Sequence, residues 1–255
     1  MAQNFHQKGI IVTGAASGIG RATAVLLAQS GANLALWDVN EAALQAVAQE
    51  TGGLAQVVDI SQPAQVVAAM DTAVVHLGSL AGVVHSAGVL ATGYFEQIPL
   101  AKHEQLIQVN LLGSTAVAHS ALPYLAETHG SLIFLASTSA LYGPPEYASY
   151  GATKAGVLAL AQALRLETAE QGIHIGAVIP SFVDTPMNAN HNPGVTLYER
   201  FGVSHTAVDV AQAIVSQGLV RRRFHIWPGV EPRLLYVLSW LARPWGDKLM
   251  RLFWR

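Results

Sequence analysis

Residues 131–156 read SLIFLASTSALYGPPEYASYGATKAG and predict a strand, a turn and a helix in succession. Residues 132–136 predict a buried strand, because they are mostly large and apolar with no alternation. The Gly-Pro-Pro at residues 143–145 predicts a turn, because neither a helix nor a strand would tolerate these three residues in succession. A helix is expected from about Tyr150.

Tyr150 and Lys154 are four residues apart on that helix, so both project from the same face. Ser137 follows the predicted strand, at the end where a parallel sheet presents its reactive groups. A nearby ammonium favours the phenolate and lowers the pKa of a tyrosine, so these groups could exchange a proton with an alcohol or ketone oxygen. The alternative is an ordinary exposed Tyr–Lys pair on a helix.

A glycine-rich turn follows a predicted strand at residues 9–13 and precedes an apolar helix at residues 21–29. Gly14, Gly18 and Gly20 would let the backbone turn tightly and approach a diphosphate at the start of the helix. The spacing is Gly-x-x-x-Gly-x-Gly, not the usual Gly-x-Gly-x-x-Gly. The turn alone therefore predicts a nucleotide loop only weakly.

Asp38 ends the next predicted strand, 24 residues beyond Gly14. A carboxylate there can accept hydrogen bonds from both ribose hydroxyls of an adenosine and would repel a 2′-phosphate. No Arg or Lys stands at residues 15–17 or 39–40 to receive such a phosphate. This pattern favours NAD over NADP. The alternative is that Asp38 only caps a helix beginning at Glu41.

Short apolar segments alternate with helical stretches along the chain, which predicts an α/β fold with a doubly wound parallel sheet. Further strands are expected at residues 54–58, 80–85, 173–179 and 224–227, and further helices at 63–76 and 100–128. Asn110 lies near the middle of the long helix. Its amide is either a buried packing group or part of a functional kink.

The length of 255 residues suits one large domain or two small ones. With 51% hydrophobic and 12% charged residues, the chain can fill a substantial core. The absence of cysteine excludes disulfides, thiolate metal sites and a thiol nucleophile. None of the ten histidines is paired at metal-ligand spacing, so no metal is expected. The first residues lack an apolar signal core, and no apolar run is long enough to span a membrane. We expect a cytoplasmic protein.

With these motifs in place, the chain resembles the short-chain dehydrogenase/reductase family, in its NAD-preferring branch, over about residues 5–229. The resemblance implies a single-domain Rossmann-type fold of about seven strands in the order 3-2-1-4-5-6-7, with helices on both faces. It implies a catalytic set of Asn110, Ser137, Tyr150 and Lys154. It also implies NAD-binding positions at Gly14, Ser17, Gly18, Ile19, Gly20, Asp38, Asp59, Ile60, Ala87, Gly88, Tyr150, Lys154, Pro180, Val183 and Thr185.

The resemblance assigns roles to the catalytic set. Tyr150 is the acid/base, and Lys154 lowers its pKa and holds the nicotinamide ribose. Ser137 orients the substrate oxygen, and Asn110 positions a water that relays protons. His85 and Ser86 stand where the family usually has Asn-Asn before Ala-Gly, and Ser181 replaces a glycine.

The implied activity is hydride transfer between NAD and a secondary alcohol or ketone, with an apolar steroid, acyl or cyclic substrate. A homodimer or homotetramer is the expected assembly. A dehydratase or epimerase is disfavoured by the complete Ser-Tyr-Lys set. The alternative from another class is a non-catalytic dinucleotide sensor or membrane-peripheral scaffold.

The end of the chain is its least ordinary part. Residues 1–220 carry six Lys/Arg and 14 Asp/Glu, whereas residues 221–255 carry eight and two. Residues 230–255 are predicted to be an apolar and basic helical extension of the domain at 1–229. Residues 231–255 could pack across a subunit boundary, line a substrate pocket, lie on an anionic membrane or complete the core. Nucleic-acid binding is not expected, because large aliphatic residues separate the basic ones. The polar loop at 186–205 either closes over substrate or is a mobile surface loop.

Overall fold

The computed structural model describes residues 5–189, 202 and 204–241. The strands are β1 Gly9–Thr13, β2 Asn33–Asp38, β3 Leu54–Val57, β4 Gly82–His85, β5 Ser131–Leu135, β6 His174–Val178, β7 Val183–Asp184, β8 His205–Thr206 and β9 His225–Ile226. The α-helices are α1 Gly18–Gln29, α2 Glu41–Thr51, α3 Pro63–Leu77, α4 Leu100–Leu106, α5 Gly113–Thr128, α6 Ala148–Glu167, α7 Pro186–Ala189, α8 Ala207–Ala213 and α9 Val230–Leu241.

Seven strands form one sheet in the order β3-β2-β1-β4-β5-β6-β9, and every pairing in it is parallel. This confirms the predicted doubly wound sheet and its order. In the register, Thr13 pairs with His85 and His85 pairs with Phe134. The residues that follow β1, β4 and β5 therefore meet at one edge of the sheet, where such folds bind ligands.

The sheet is buried on both faces, which explains why its strands are continuously apolar. β1 and β5 are buried at every residue. Trp37, Phe134 and Leu125 belong to the core on one face, whereas Val12 and Leu27 belong to the core on the other. Helices on both faces cover these two layers, as the alternating pattern predicts.

The long helix predicted at residues 100–128 is divided in three. A π-helical segment, Ile107–Leu112, separates α4 from α5 and contains Asn110. Such segments insert a residue into the helical hydrogen-bond ladder and recur at functional sites. Asn110 is 1% exposed, so its amide is buried, as one of the two alternatives expected. A functional kink at Asn110 stays a prediction.

The predicted extension after residue 229 begins with α9, which packs near the 3₁₀ turn Thr138–Ala140. Residues 242–255 and most of the predicted loop at 186–205, including Asn190 and His191, lie outside the described residues. None of the described helices combines the length and hydropathy needed to cross a bilayer.

Candidate active site

A cavity of about 1200 Å³ opens at the carboxyl ends of the strands. It brings together nearly all of the residues that the sequence singled out. Every predicted cofactor position lines it except Gly20, and so do three of the four predicted catalytic residues, Ser137, Tyr150 and Lys154. Asn110 stands behind the wall of the cavity.

The glycine turn after β1 has the shape that its sequence predicts. Gly14 and Gly18 have φ angles of +67° and +52°, where side chains are strained. A Cβ on Gly14 would lie 2.8 Å from Ala87, and one on Gly20 would lie 2.0 Å from the Gly14 carbonyl oxygen. Gly20 thus closes the turn by packing and does not line the cavity. The first turn of α1 is left facing the cavity, as diphosphate binding at a helix N-terminus requires.

Asp38 lies at the end of the cavity that would take an adenosine. Its Oδ2 accepts a hydrogen bond from the Ala16 amide at 3.0 Å, and its Oδ1 accepts one from the Asn40 amide at 2.9 Å. The alternative that Asp38 caps α2 is wrong, because Asn40 is the N-cap and accepts from the Ala43 amide at 3.2 Å. Asp38 instead joins the glycine turn to the loop after β2.

The adenosine end carries acidic groups and apolar walls. Asp59 Oδ1 accepts hydrogen bonds from the amide and the hydroxyl of Ser61, at 2.9 and 2.7 Å, while Ile60 is buried beside it. Arg21, the basic residue nearest to the glycine turn in sequence, is paired with Glu50 at 2.7 Å. Among the described residues, Lys154 is the only basic residue that lines the cavity.

Tyr150 and Ser137 are in contact at the centre of the cavity. Burial raises the pKa of Tyr150 to about 12, and a hydrogen bond with the Ser137 side chain opposes that rise. Ser137 is held by its own turn, since its oxygen accepts from the Ser139 amide at 3.2 Å. The phenol therefore keeps its proton at neutral pH. The predicted effect of Lys154 on the pKa of Tyr150 stays a prediction.

Lys154 is buried beneath the phenol, four residues further along α6. Its Nζ lies 5.7 Å from the centre of the Tyr150 ring and donates to the Leu135 carbonyl oxygen at 2.8 Å. Burial lowers the pKa of Lys154 to about 8. The lysine is therefore mostly charged at pH 7 and close to its titration range.

Asn110 fixes the loop after β4. Its Oδ1 accepts from the Val89 amide at 2.8 Å, and its Nδ2 donates to the Val89 carbonyl oxygen at 2.9 Å. The same Nδ2 reaches Thr153 Oγ1, the neighbour of Lys154, at 3.2 Å. The side chain thus ties the π-helical segment to α6. Its predicted part in a proton relay stays a prediction.

His85, which departs from the family pattern, is the centre of a buried chain of hydrogen bonds. The Ala87 amide donates to Thr13 Oγ1 at 3.1 Å, and Thr13 Oγ1 lies 2.9 Å from His85 Nδ1. His85 Nε2 lies 2.9 Å from Ser114 Oγ, which donates to the Asn110 carbonyl oxygen at 2.5 Å. Burial, followed by the charge of Lys154, lowers the pKa of His85 to about 3. A neutral histidine with its hydrogen on Nε2 satisfies every member of the chain.

The other end of the cavity is mainly apolar, and sequence reasoning missed most of it. Tyr147 packs edge-on against Tyr150 with ring centres 6.3 Å apart. Ser139 contributes a buried hydroxyl that has no hydrogen-bond partner among the described residues. The further lining residues at this end are Val89, Leu90, Val109, Leu141, Tyr142, Pro144, Phe182, Met187 and Glu231. Glu231 belongs to α9, so the predicted extension contributes to the cavity.

Taken together, the site can hold an oxygen-bearing carbon against a protonated phenol, a serine hydroxyl and a buried lysine. The glycine turn, Asp38 and Asp59 can hold a dinucleotide in the same cavity. This combination suits proton exchange with an alcohol or a ketone oxygen. It also places the dinucleotide-binding end and the apolar end side by side.

The chain matches known proteins over most of its length. A family model described as short chain dehydrogenase matches residues 8–196. Cyclohexanol dehydrogenase of Acinetobacter sp. is 34% identical over 196 residues, 74% of this chain and 78% of that protein. The 3-beta-hydroxysteroid dehydrogenase of Comamonas testosteroni is 35% identical over 191 residues, 73% of this chain and 75% of that protein.

A solved structure shares the fold. The crystal structure of 3-ketoacyl-(acyl-carrier-protein) reductase from Brucella melitensis, complexed with NADH, superimposes with a TM-score of 0.81 at 26% identity. The match covers 89% of this chain and 99% of that one.

Proposed function

Since the chain belongs to the short-chain dehydrogenase family of oxidoreductases, we propose that it transfers a hydride between NAD and a secondary alcohol or ketone. One observation carries this proposal: Ser137, Tyr150 and Lys154 line the same cavity as the glycine turn. A Tyr–Lys pair with a purely structural role would not be expected to line the same cavity as a dinucleotide-binding loop.

NAD is the proposed cofactor. Asp38 lines the adenosine end, and a 2′-phosphate there would meet a carboxylate. Arg21 is engaged with Glu50, and Lys154 stands at the catalytic end. Gly14, Ser17 and Gly18 would hold the diphosphate, and Thr185 and Val183 would face the nicotinamide.

The chemistry divides between the cofactor and the protein. A bound nicotinamide would accept or supply the hydride. Tyr150, protonated at neutral pH, donates a hydrogen bond and then its proton to a ketone oxygen during reduction. Ser137 holds the same oxygen and so fixes the direction from which the carbon is approached. Lys154 adds positive charge beneath the phenol, which favours the phenolate left after the proton has moved.

The substrate is proposed to be an apolar, cyclic secondary alcohol or its ketone. Aliphatic and aromatic side chains, including Leu90, Val109, Leu141 and Phe182, form most of the free end of the cavity. Such walls favour the binding of an apolar substrate and offer few hydrogen-bonding or charged groups to a charged one. A cyclohexanol dehydrogenase and a hydroxysteroid dehydrogenase among the relatives support the same class.

The proposal is tested by turnover of a panel with both cofactors: cyclohexanol, a 3β-hydroxysteroid and a 3-ketoacyl thioester, each with NAD(H) and NADP(H). Tyr150→Phe should lower kcat by about a thousandfold or more, because it removes the acid/base group. NADH affinity, measured by fluorescence, should change by less than about twofold. Tyr147→Phe removes a hydroxyl from the same wall and should retain turnover.

Two outcomes would contradict the proposal. Equal losses of kcat in the Tyr150→Phe and Tyr147→Phe variants would show that Tyr150 is not the acid/base group. Tight NAD binding without turnover of any compound on the panel would favour the non-catalytic sensor or scaffold.

A further inference from the structure

The helix α9 carries an exposed apolar face. Val230, Leu234 and Val237 are 82%, 55% and 45% exposed, and they follow one another at spacings of four and three residues. Residues at these spacings lie on one side of a helix. We call this set the α9 face. It is a continuous apolar stripe and not a scatter of single exposed residues.

The opposite side of α9 is the one that packs on the protein. Pro232 is buried, and the Tyr236 ring lies 5.1 Å from the His225 ring and 5.3 Å from the Trp227 ring, centre to centre. These contacts fix the rotation of the helix about its axis. They leave the α9 face turned outward.

The α9 face stands beside the apolar end of the cavity. Glu231, next to Val230, lines that cavity, and the helix lies against the 3₁₀ turn that follows Ser137. Whatever covers the α9 face therefore lies close to the apolar end of the cavity.

Two occupants could cover the α9 face, a second copy of the chain or a lipid surface, and the charge of the chain distinguishes between them. Residues 230–255 contain five Lys/Arg, two Asp/Glu and three tryptophans. A second copy would carry the same excess of positive charge in this part of its sequence. Among the described residues the stripe is about 10 Å long, and its three side chains bury far less surface than a stable protein interface does. An anionic lipid surface offers both an apolar layer and the opposite charge.

We propose that the α9 face docks on an anionic lipid surface beside the apolar end of the cavity. Val230, Leu234 and Val237 enter the boundary between the headgroups and the acyl chains. Arg233, exposed next to them, faces the headgroups. The docking does not depend on the proposed enzymatic activity.

Vesicle flotation of the full chain tests the docking. One set of vesicles is phosphatidylcholine alone, and in the other roughly a third of the lipid is phosphatidylglycerol. We expect binding to the anionic set, weakened by added salt. The double variant Leu234→Ser, Val237→Ser should lower the partition coefficient by about tenfold or more, because it removes two apolar side chains from the contact.

The matched control is Val67→Ser, Val75→Ser, which removes two exposed apolar side chains from α3. It should bind vesicles as the wild type does. NADH binding and thermal melting of both double variants would show that the fold is kept.

Three results would overturn the proposal. The first is no binding to anionic vesicles, or equal binding to both sets. The second is undiminished binding by the Leu234→Ser, Val237→Ser variant, which would assign the contact to other residues. The third is a wild-type dimer in light scattering that this variant converts to a monomer without any lipid binding, which would make the α9 face a subunit contact.

Discussion

Replacing His85 with asparagine should make the protein less stable at pH 7 and less sensitive to acid. Asparagine restores the residue type that the family usually has at this position. Its amide is shorter than an imidazole, so it cannot span Thr13 Oγ1 and Ser114 Oγ, each of which lies 2.9 Å from a ring nitrogen. A buried hydroxyl that loses one of its partners costs about 1–2 kcal/mol. We expect the variant to lose about that much at pH 7.

The acid dependence follows from the pKa of His85. Burial lowers this pKa from 6.5 in the unfolded chain to about 3 in the folded protein. Between these values the unfolded chain binds a proton that the folded protein does not, so stability falls as the pH falls. The contribution of the neutral His85 to the free energy of unfolding is fully present above pH 6.5 and is lost as the pH falls towards 3. From pH 7 to pH 5 the loss is about 2 kcal/mol.

Urea denaturation at several pH values between 5 and 7 measures both effects. The wild type should be more stable than His85→Asn at pH 7, and this difference should shrink to near zero at pH 5. His174, whose pKa burial lowers to about 4, adds acid sensitivity to both proteins and cancels in the difference. Replacing the exposed His76 with asparagine serves as the control, with a curve parallel to that of the wild type.

Parallel curves for the wild type and His85→Asn would refute this reasoning. They would mean that His85 has the same affinity for protons in the folded and unfolded states. A variant that loses turnover and keeps its stability would instead show that the chain from Thr13 to the Asn110 carbonyl acts on catalysis alone.

Two further variants test polar groups in the cavity. Ser139→Ala should raise the free energy of unfolding by about 1 kcal/mol, because it removes a buried hydroxyl that has no partner among the described residues; a loss of stability in thermal melting would reveal a partner for that hydroxyl. Asp38→Asn should raise the ratio of kcat/KM with NADPH to kcat/KM with NADH by about tenfold. The reason is that it removes the carboxylate that would repel a 2′-phosphate. An unchanged ratio would show that Asp38 does not select the cofactor.

The fold and the centre of the site were predictable from sequence because their signals are local. Buried parallel strands are continuously apolar, and glycines at a tight turn cannot be replaced, so residues 9–20 and 131–156 predict their own structure. Tyr150 and Lys154 share a helix face through their spacing alone. Strand order and the meeting of β1, β4 and β5 at one edge then bring Ser137 to Tyr150.

The parts that were not predictable depend on contacts between distant segments. Glu231 enters the cavity because Tyr236 and Pro232 set the rotation of α9, and nothing near Glu231 in sequence shows this. The hydrogen-bond chain of His85 joins residues 13, 85, 110 and 114, which come from two strands and two helical segments. The departure from Asn at residue 85 marked the position, but only the packed structure shows how an imidazole satisfies its neighbours.

The pKa shifts of Tyr150 and Lys154 have a common cause and a shared consequence. Burial favours the neutral form of both groups, so it raises the pKa of the phenol to about 12 and lowers that of the ammonium to about 8. At pH 7 Tyr150 therefore carries its proton, which is the form that can donate to a ketone oxygen. Lys154, bonded to the Leu135 carbonyl oxygen, is the group that changes charge near neutral pH. The reduction of a ketone would therefore begin from the protonation state already present.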